Sequence, residues 1–498
     1  MASSSKVCFI DQLPDTALRA IFLRCLPDFE TKVIIGIPSG RWCTERESLK
    51  YKRKSAPWSL LSVSKRWNTI ATDSGELWSN LVLDTEAYAR YSVKSIRGRV
   101  KAYLLRSKDA PLFIVTRFMG DFPYNKSVAI FDALLQDSAR WKRFYFGGAI
   151  TRLKAFEGRT FSSLQEVRLF VLPAGADTDD GNEDSKSSAP VPVLTWFQNS
   201  PLSTFYHTQQ GAAFTLPAKS LTTYVASDCD LSPLDYLENL KELHIRFLET
   251  SEDAFVDRKA RTLSGLRKIE LHEMMDSGGI YAFFGKYQTP DLEHLRLSYS
   301  SERRSAFPRL GHLPGLKNLA LSITDPDAEK QSRYVLPFLR SLPHIEELFL
   351  GGLATTKRML KTLAVHTPGA EEGNVLKNLR ILRFGMHGFG IHFGDIVAVA
   401  VTRCKKWMEY SKRMQYTAIK EIHIVNEGLD ESMWEEMKGT FPRVLGWENF
   451  HTSVKAVFQE ETEFYDELFE DRAGYRGGDS DAEDTKKLYE LLNRRNGV

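Results

Sequence analysis

The chain has 498 residues, with 67 Lys and Arg against 64 Asp and Glu, a formal net charge of +3 and a sequence pI near 8.4. Hydrophobic residues make up 42%, charged residues 26% and aromatics 11%, an ordinary globular composition that excludes a collagen-like, fully disordered or simple coiled-coil chain. Length alone predicts about three domains, and so mild a net charge gives no argument for nucleic-acid binding.

The first residues, MASSSKVCFI, hold no apolar run of signal-peptide length. The longest apolar stretches, such as 391–401, are interrupted by His392, Gly394 and Asp395 and fall short of the ~20 residues of a membrane helix, so no membrane association is expected. Five cysteines (Cys8, Cys25, Cys43, Cys229, Cys404) lie far apart without a CxxC pair, which fits neither a zinc ribbon nor a RING-type domain. Scattered thiols in a long chain predict an intracellular protein, cytoplasmic or nuclear.

Residues 9–26 read FIDQLPDTALRAIFLRCL, with Leu18, Ile21, Phe22, Cys25 and Leu26 on one helix face and Pro14 suited to a helix start. Residues 57–71 place Leu60, Val63, Trp67 and Ile70 on another such face, and SGELWSNLVL brings Leu77, Trp78, Leu81 and Leu83 after Gly75. Three short helices are predicted. So small a domain cannot bury all these large residues by itself, and the surplus points to a partner protein.

LPDTALRAIFLRCLP, APWSLLSVSKRWNTIA and ELWSNLVL together resemble an F-box motif, in the style of the large F-box families of mushroom-forming (basidiomycete) fungi. The resemblance covers about 9–83 and departs from the family in an insert at 28–56, rich in Arg and Lys, which as a surface loop is cheap to close. It implies docking on a Skp-type adaptor and, through it, a cullin. Leu13, Pro14, Leu18, Ile21, Phe22, Leu60, Val63, Trp67, Leu77 and Trp78 match the family's docking positions. The same residues also read as the core of a small helical domain, and some must serve both purposes.

Beyond this module an LxxLxL unit recurs, with first positions at 240, 266, 292, 316, 345, 379 and 419 and steps of 26, 26, 24, 29, 34 and 40. Weaker units are Trp141-Phe144-Phe146, Leu164-Val167-Leu169, Leu202-Phe205 and Leu221-Tyr224. Alternate residues of LxL enter a core, and one unit cannot bury its apolar face alone, so the units must stack. The fold class expected is α/β: an N-terminal three-helix F-box module followed by an irregular leucine-rich-repeat solenoid over 100–450. The Asn or Cys usual after the strand is replaced by Glu249, Met275 and Ser301, which argues against regular curvature.

Outward strand positions predict a target-binding face carrying His244, Arg246, Lys268, Glu270, His294, Arg296, Phe349 and Arg383; a solvated face with no partner is the plainer alternative. His244, His272 and His294 occupy different offsets within their units, which predicts a diagonal rather than a metal site. No metal and no other cofactor is expected.

Residues 174–192 read as a disordered acidic loop, and 459–498 as an acidic, largely disordered tail. Residues 459–485 hold eleven acidic and two basic residues, a net of −9 that leaves +12 on the rest; this stretch either docks on a basic body or stays solvated. LKYKRK at 49–54 is a weak import-signal candidate. There is no P-loop, GxSxG, HExxH or dinucleotide-binding glycine pattern in its required context, and GMHGFG at 385–390 reads as a turn. The function expected is therefore that of a non-catalytic substrate-recognition subunit of a Skp-cullin-F-box ubiquitin ligase, binding an unknown target protein. The alternative is a leucine-rich-repeat scaffold acting outside a ligase.

Overall fold

The computed structural model describes residues 9–26, 57–84, 91–118, 123–172, 193–208, 213–227, 231–246, 260–274, 277–299, 313–323, 335–352, 357–364, 375–386, 393–403, 416–426, 434–435, 438 and 455–460. The loops expected at 28–56 and 174–192, the basic run at 49–54, the tail beyond 460, and Glu249, Met275 and Ser301 lie outside the described residues. The chain divides into two compact units; the described elements of the first run to Leu172, with Asn199–Pro201 also in it, and the second contains the repeats from Leu202 onward.

In the first unit, Pro14 precedes helix α1 (Asp15–Arg24) in extended backbone. A 3-10 turn at Trp58–Ser62 follows, then α2 (Lys65–Asp73), whose N-terminus is capped by Ser64 accepting the Trp67 N–H at 3.1 Å. The third predicted helix is instead a single 3-10 turn, Gly75–Trp78, leading directly into strand β1 (Asn80–Asp84). The reason lies in the period: Leu77 and Trp78 close the helical core, but Leu81 and Leu83 are buried at a spacing of two, which suits a strand.

Strand β1 pairs in parallel with β2 (Leu112–Arg117), which pairs with β3 (Trp141–Ala149), which pairs with β4 (Glu166–Leu172). Helices α3 (Val93–Ser107) and α4 (Tyr124–Leu134) make the first two crossovers. The parallel stack thus begins at residue 80, inside the segment expected to be wholly helical. Its core is aromatic: Trp141 and Phe144 have ring centroids 5.0 Å apart, and Phe156 lies 5.1 Å from Phe144 and 5.3 Å from Phe131. The weak sequence units fall into register here, Phe144 opposite Val167 and Phe146 opposite Leu169.

The second unit carries parallel strands β5 (Thr204–Thr208), β6 (Thr223–Ser227), β7 (Glu242–Arg246), β8 (Lys268–Met274), β9 (His294–Tyr299), β10 (Asn318–Ile323), β11 (Glu347–Gly352), β12 (Ile381–Met386), β13 (Glu421–Asn426) and β14 (Lys455–Glu460). Each pairs with the next in chain order. All seven LxxLxL units land in register, Leu243–Ile269–Leu295–Leu319–Leu348–Leu382–Ile422 forming one continuous row. None of their 21 apolar side chains is more than 2% exposed. Strand β14 carries no such unit, so the stack extends past residue 450 and takes in Gln459 and Glu460, the first residues of the expected tail.

Two backbone devices repeat. The first apolar residue of a unit donates its N–H to the carbonyl three residues earlier, as in Leu266 to Leu263, Leu316 to Leu313, Ile345 to Leu342 and Leu379 to Leu376. Two successive N–H groups at the strand starts of β6–β13 converge on one carbonyl of the preceding repeat, as with Glu293 and His294 on Arg267, Lys317 and Asn318 on Glu293, and Glu346 and Glu347 on Lys317. The result is a mixed α/β structure built on parallel sheet, compatible with a leucine-rich-repeat-like fold.

One buried cation holds the later crossovers. Helices α5 (Lys357–Leu363) and α6 (Phe393–Thr402) flank Arg403, which is fully buried. Its guanidinium donates to three main-chain carbonyls: Nε to Leu363 at 2.7 Å, Nη1 to Leu376 at 2.8 Å and Nη2 to Val375 at 2.6 Å. Burial pushes the group down to about 10, against the opposing effect of Tyr416, so it stays charged at neutral pH. Leu376 sits at φ 53°, a left-handed conformation disfavoured for a side-chain residue, and Arg403 grips its carbonyl and the one before it. Arg403→Met is therefore expected to lower the denaturation midpoint markedly, because it removes three hydrogen bonds from a charged donor, each worth about 1.5–3 kcal/mol, and leaves the Leu376 carbonyl with only the Leu379 N–H. An unchanged midpoint by denaturant titration would show that the clamp is dispensable.

Candidate functional site

Two surfaces carry the candidate residues. In the helical module, Leu18, Phe22, Leu60, Leu77 and Trp78 are buried together with Ile70 and Ala71, forming the module's own core. Leu13 and Trp67 are half-buried against that core, and Phe22 and Trp67 have ring centroids 4.7 Å apart. Pro14, Ile21 and Val63 face outward, the last two 38% and 56% exposed. Arg66 fixes the Leu13-Pro14-Asp15 turn to α2 by donating to the Leu13 carbonyl and pairing with Asp15.

Part of the module's apolar surplus is covered from within the chain. Trp58 donates its indole N–H to the Tyr103 hydroxyl on α3 at 2.7 Å. The Arg106 guanidinium lies 4.7 Å from the Trp58 ring centroid and 4.5 Å from that of Trp78. The sequence reading missed Tyr103 and Arg106. Only the spacing of Ile96, Val100, Leu104 and Ser107, the buried face of α3, hinted that this helix packs back.

In the second unit the outward residues form cross-strand rows. One runs Glu242–Lys268–His294–Asn318–Glu347, and the next His244–Glu270–Arg296–Ala320–Phe349–Arg383–His423. His244, Glu270 and Phe349 are buried, whereas Lys268, His294, Arg296 and Arg383 are half-buried. Arg246 ends β7 opposite His272; its side chain lies outside the described residues.

The expected diagonal of histidines is not what forms. His244 Nδ1 and His272 Nε2 both donate to Glu270 Oε2, at 2.6 and 3.2 Å, while Lys268 Nζ lies 3.1 Å from Oε1. Neighbouring strands bring side chains from adjacent rows together, so two of the three histidines converge on one carboxylate. His294 stands apart and accepts from Asn318 Nδ2 at 2.7 Å. Among the described residues, no group of three His, Cys, Asp or Glu side chains is placed to hold a metal ion. Arg383 Nε, in the row beside Phe349, is buried and has no hydrogen-bond partner among the described residues.

A third cluster went unread in the sequence, although the same period of two exposes it. Arg143 and Tyr145 on β3, and Glu166 and Arg168 on β4, occupy the outward positions of the weak units.

The ionisation of the Glu270 cluster follows from its geometry. Burial alone would raise the Glu270 carboxyl, but the charge and hydrogen bonds of His244 and His272 outweigh it and hold it well below the usual range. Burial, then the Lys268 charge, lowers His294, against Glu293, Glu347 and Glu242.

No family model matches the chain, and no curated protein matches it in sequence. Among solved structures it is similar to the crystal structure of a TLR13–ssRNA13 complex, with a TM-score of 0.33 and 12% identity over 76% of this chain. The match spans 47% of that protein's chain, about half its length. No helix among the described residues is long and apolar enough to cross a membrane.

Because the Glu270 pKa is depressed on folding, its ionised form favours the fold: the contribution is complete above the ordinary 4.5 and is lost as pH falls through the lowered value. Glu270→Gln should cost about 1.5–3 kcal/mol at pH 7, the range for hydrogen bonds to a charged group, and should flatten the acid limb below pH 4.5. Denaturation midpoints across pH 3–7 check this, and an acid limb as steep as that of the parent chain would refute the assignment.

Proposed function

We propose that this chain is a non-catalytic recruiting subunit of a cullin-type ubiquitin ligase. In this reading the helical module docks on a Skp-type adaptor and the outward face of the repeats holds a target protein. What carries the reading is the F-box-like order of the module's residues combined with their burial: a closed core around Leu18, Phe22 and Trp78 with Pro14, Ile21 and Val63 left outward. Docking then falls to those three, with Leu13 and Trp67 at the rim, while the buried residues set the module's shape. A few apolar anchors suffice for such an interface, at about 1.5–3 kcal/mol for each large side chain fully buried.

The target face in this reading is the row from Arg296 to Arg383, whose half-buried guanidinium groups flank Ala320 and Phe349. Catalysis is by proximity, since holding a target beside a charged ubiquitin carrier raises its effective concentration. A scaffold acting outside a ligase is the second reading. It draws on the packing of Trp58 and Trp78 against Tyr103 and Arg106, which closes part of the module without a partner.

Ile21→Asp with Val63→Asp changes two outward side chains and should leave the fold intact. We expect the variant to lose co-purification with a Skp-type adaptor at least tenfold and to abolish ubiquitin transfer to co-purifying proteins. Adaptor capture equal to that of the parent chain would sink the docking assignment, and capture without any ubiquitin transfer would favour the scaffold.

A further inference from the structure

The charge of the chain is unevenly spread. Residues 1–172 hold 28 Lys and Arg against 16 Asp and Glu, whereas residues 201–458 hold 32 against 31. In the first unit, helix α3 carries Lys94, Arg97, Arg99, Lys101 and Arg106 and no acidic residue, with Lys108 just beyond its end. Ser92 caps the helix by accepting the Ser95 N–H at 3.3 Å, and Ile96, Val100, Leu104 and Ser107 form its buried face.

The opposite face is a straight stripe. Lys94, Arg97, Lys101, Leu105 and Lys108 follow one another at steps of three and four residues, and all are exposed, Leu105 by 80%. The stripe is about 21 Å long at ~1.5 Å per residue. Arg97 lies 3.4 Å from Asp132 and Lys108 lies 3.5 Å from Asp73, with side chains 48–70% exposed; ion pairs so exposed are weak. Lys94 and Lys101 make no ion pair or hydrogen bond among the described residues. Arg99 and Arg106 point to either side, held over the rings of Tyr91 and of Trp58 and Trp78. The stripe thus has four cations for two carboxylates, on a helix whose other face is locked into the core.

We propose that this stripe docks the acidic segment 461–471 of a second copy of the chain, joining copies head to tail. The segment reads ETEFYDELFED, with six acidic residues and no basic one; it follows β14 directly and lies outside the described residues. Glu463, Glu467 and Glu470 are spaced by four and three, Lys94, Arg97 and Lys101 by three and four. Laid antiparallel at helical spacing, the two sets put a carboxylate opposite each cation. Phe464 and Leu468 stand beside those carboxylates and offer Leu105 an apolar partner. The other acidic stretch, 177–184, has no large apolar residue. A contact between copies joins α3 of one to the end of the second unit of the next, and needs no particular placement of the two units within a chain. Being heterologous, it passes on to a third copy or closes as a ring. Nucleic acid fits less well, because an exposed leucine interrupts the row of cations that successive phosphates call for. The stripe is used by neither surface of the ligase reading and does not depend on it.

The test is sedimentation velocity of the full-length chain across protein concentrations, at low salt and at ~1 M salt, where the screening length shrinks to ~3 Å. Two variants are compared: Lys94→Gln with Lys101→Gln on the stripe, and Glu463→Gln with Glu467→Gln on the segment. The parent chain should grow in mass beyond a dimer as its concentration rises at low salt, and should return to monomer at high salt. Association of each variant should weaken at least tenfold. An equimolar mixture of the two should recover a 1:1 pair and stop there, because one intact stripe and one intact segment remain; misfolding of either variant could not produce that recovery. The proposal is overturned if the parent chain stays monomeric, if its association is indifferent to salt, if either variant associates as the parent does, if the mixture forms no pair, or if oligo(U) RNA binds the parent chain more tightly than a synthetic peptide of residues 459–472 does.

Discussion

A parallel strand in the second unit cannot cover its own inward leucines; only the next repeat can. This dependence governs the rest of the structure. Each LxxLxL unit places three apolar side chains at fixed offsets, and burial of the whole set requires adjacent units to be in register. A slip of one residue would turn every inward leucine to the other face. The converging N–H groups, such as Lys317 and Asn318 on the Glu293 carbonyl, fix the same register from the backbone side. The crossovers are free of this constraint, and the distance between successive units can therefore grow from 24 to 40 residues without disturbing the row. Where a long crossover must still be anchored, Arg403 supplies the anchor, gathering carbonyls from two segments that the leucine rows do not reach.

The outward face obeys the same geometry with different chemistry. Strands ~4.8 Å apart force outward side chains into mutual contact, and polar groups so crowded must satisfy one another or remain costly. Glu270 shows the outcome, shared by His244, His272 and Lys268, and Glu166 repeats it between Arg143, Arg168 and Tyr145. Much of the charge visible in the sequence is thus consumed within the sheet. Pairing is not complete everywhere: in the second unit Arg383 Nε, in the row beside Phe349, has no hydrogen-bond partner among the described residues.

The repeats were legible in the sequence because burial in a parallel stack depends on a local pattern. Leu292, Leu295 and Leu297 predict their strand without knowledge of its neighbours, and all seven such units fell where the pattern put them. Legibility failed where the same residue types serve two periods. Leu77 and Trp78 belong to a helical core and Leu81 and Leu83 to a strand, and the short run between them does not show where the spacing changes. Ionic convergence was also hidden. The offsets of His244 and His272 within their units differ, and only the lateral pairing of β7 with β8 brings both to Glu270.

The helical module poses the sharper question of what an apolar surplus means. Its seven buried core residues form too small a core to stand easily alone, and a partner protein was the inference drawn from composition. The structure divides that surplus. Trp58 and Trp78 are covered by Tyr103 and Arg106 of α3, and the cation over two indole rings lets a charged residue close an apolar edge while remaining partly hydrated. Pro14, Ile21 and Val63 are not so covered, although Val63 lies only five residues beyond Trp58. In the proposed docking reading, the edge sealed by the chain's own helix would hold the open flank rigid, since preorganising a surface lowers the ordering cost of binding.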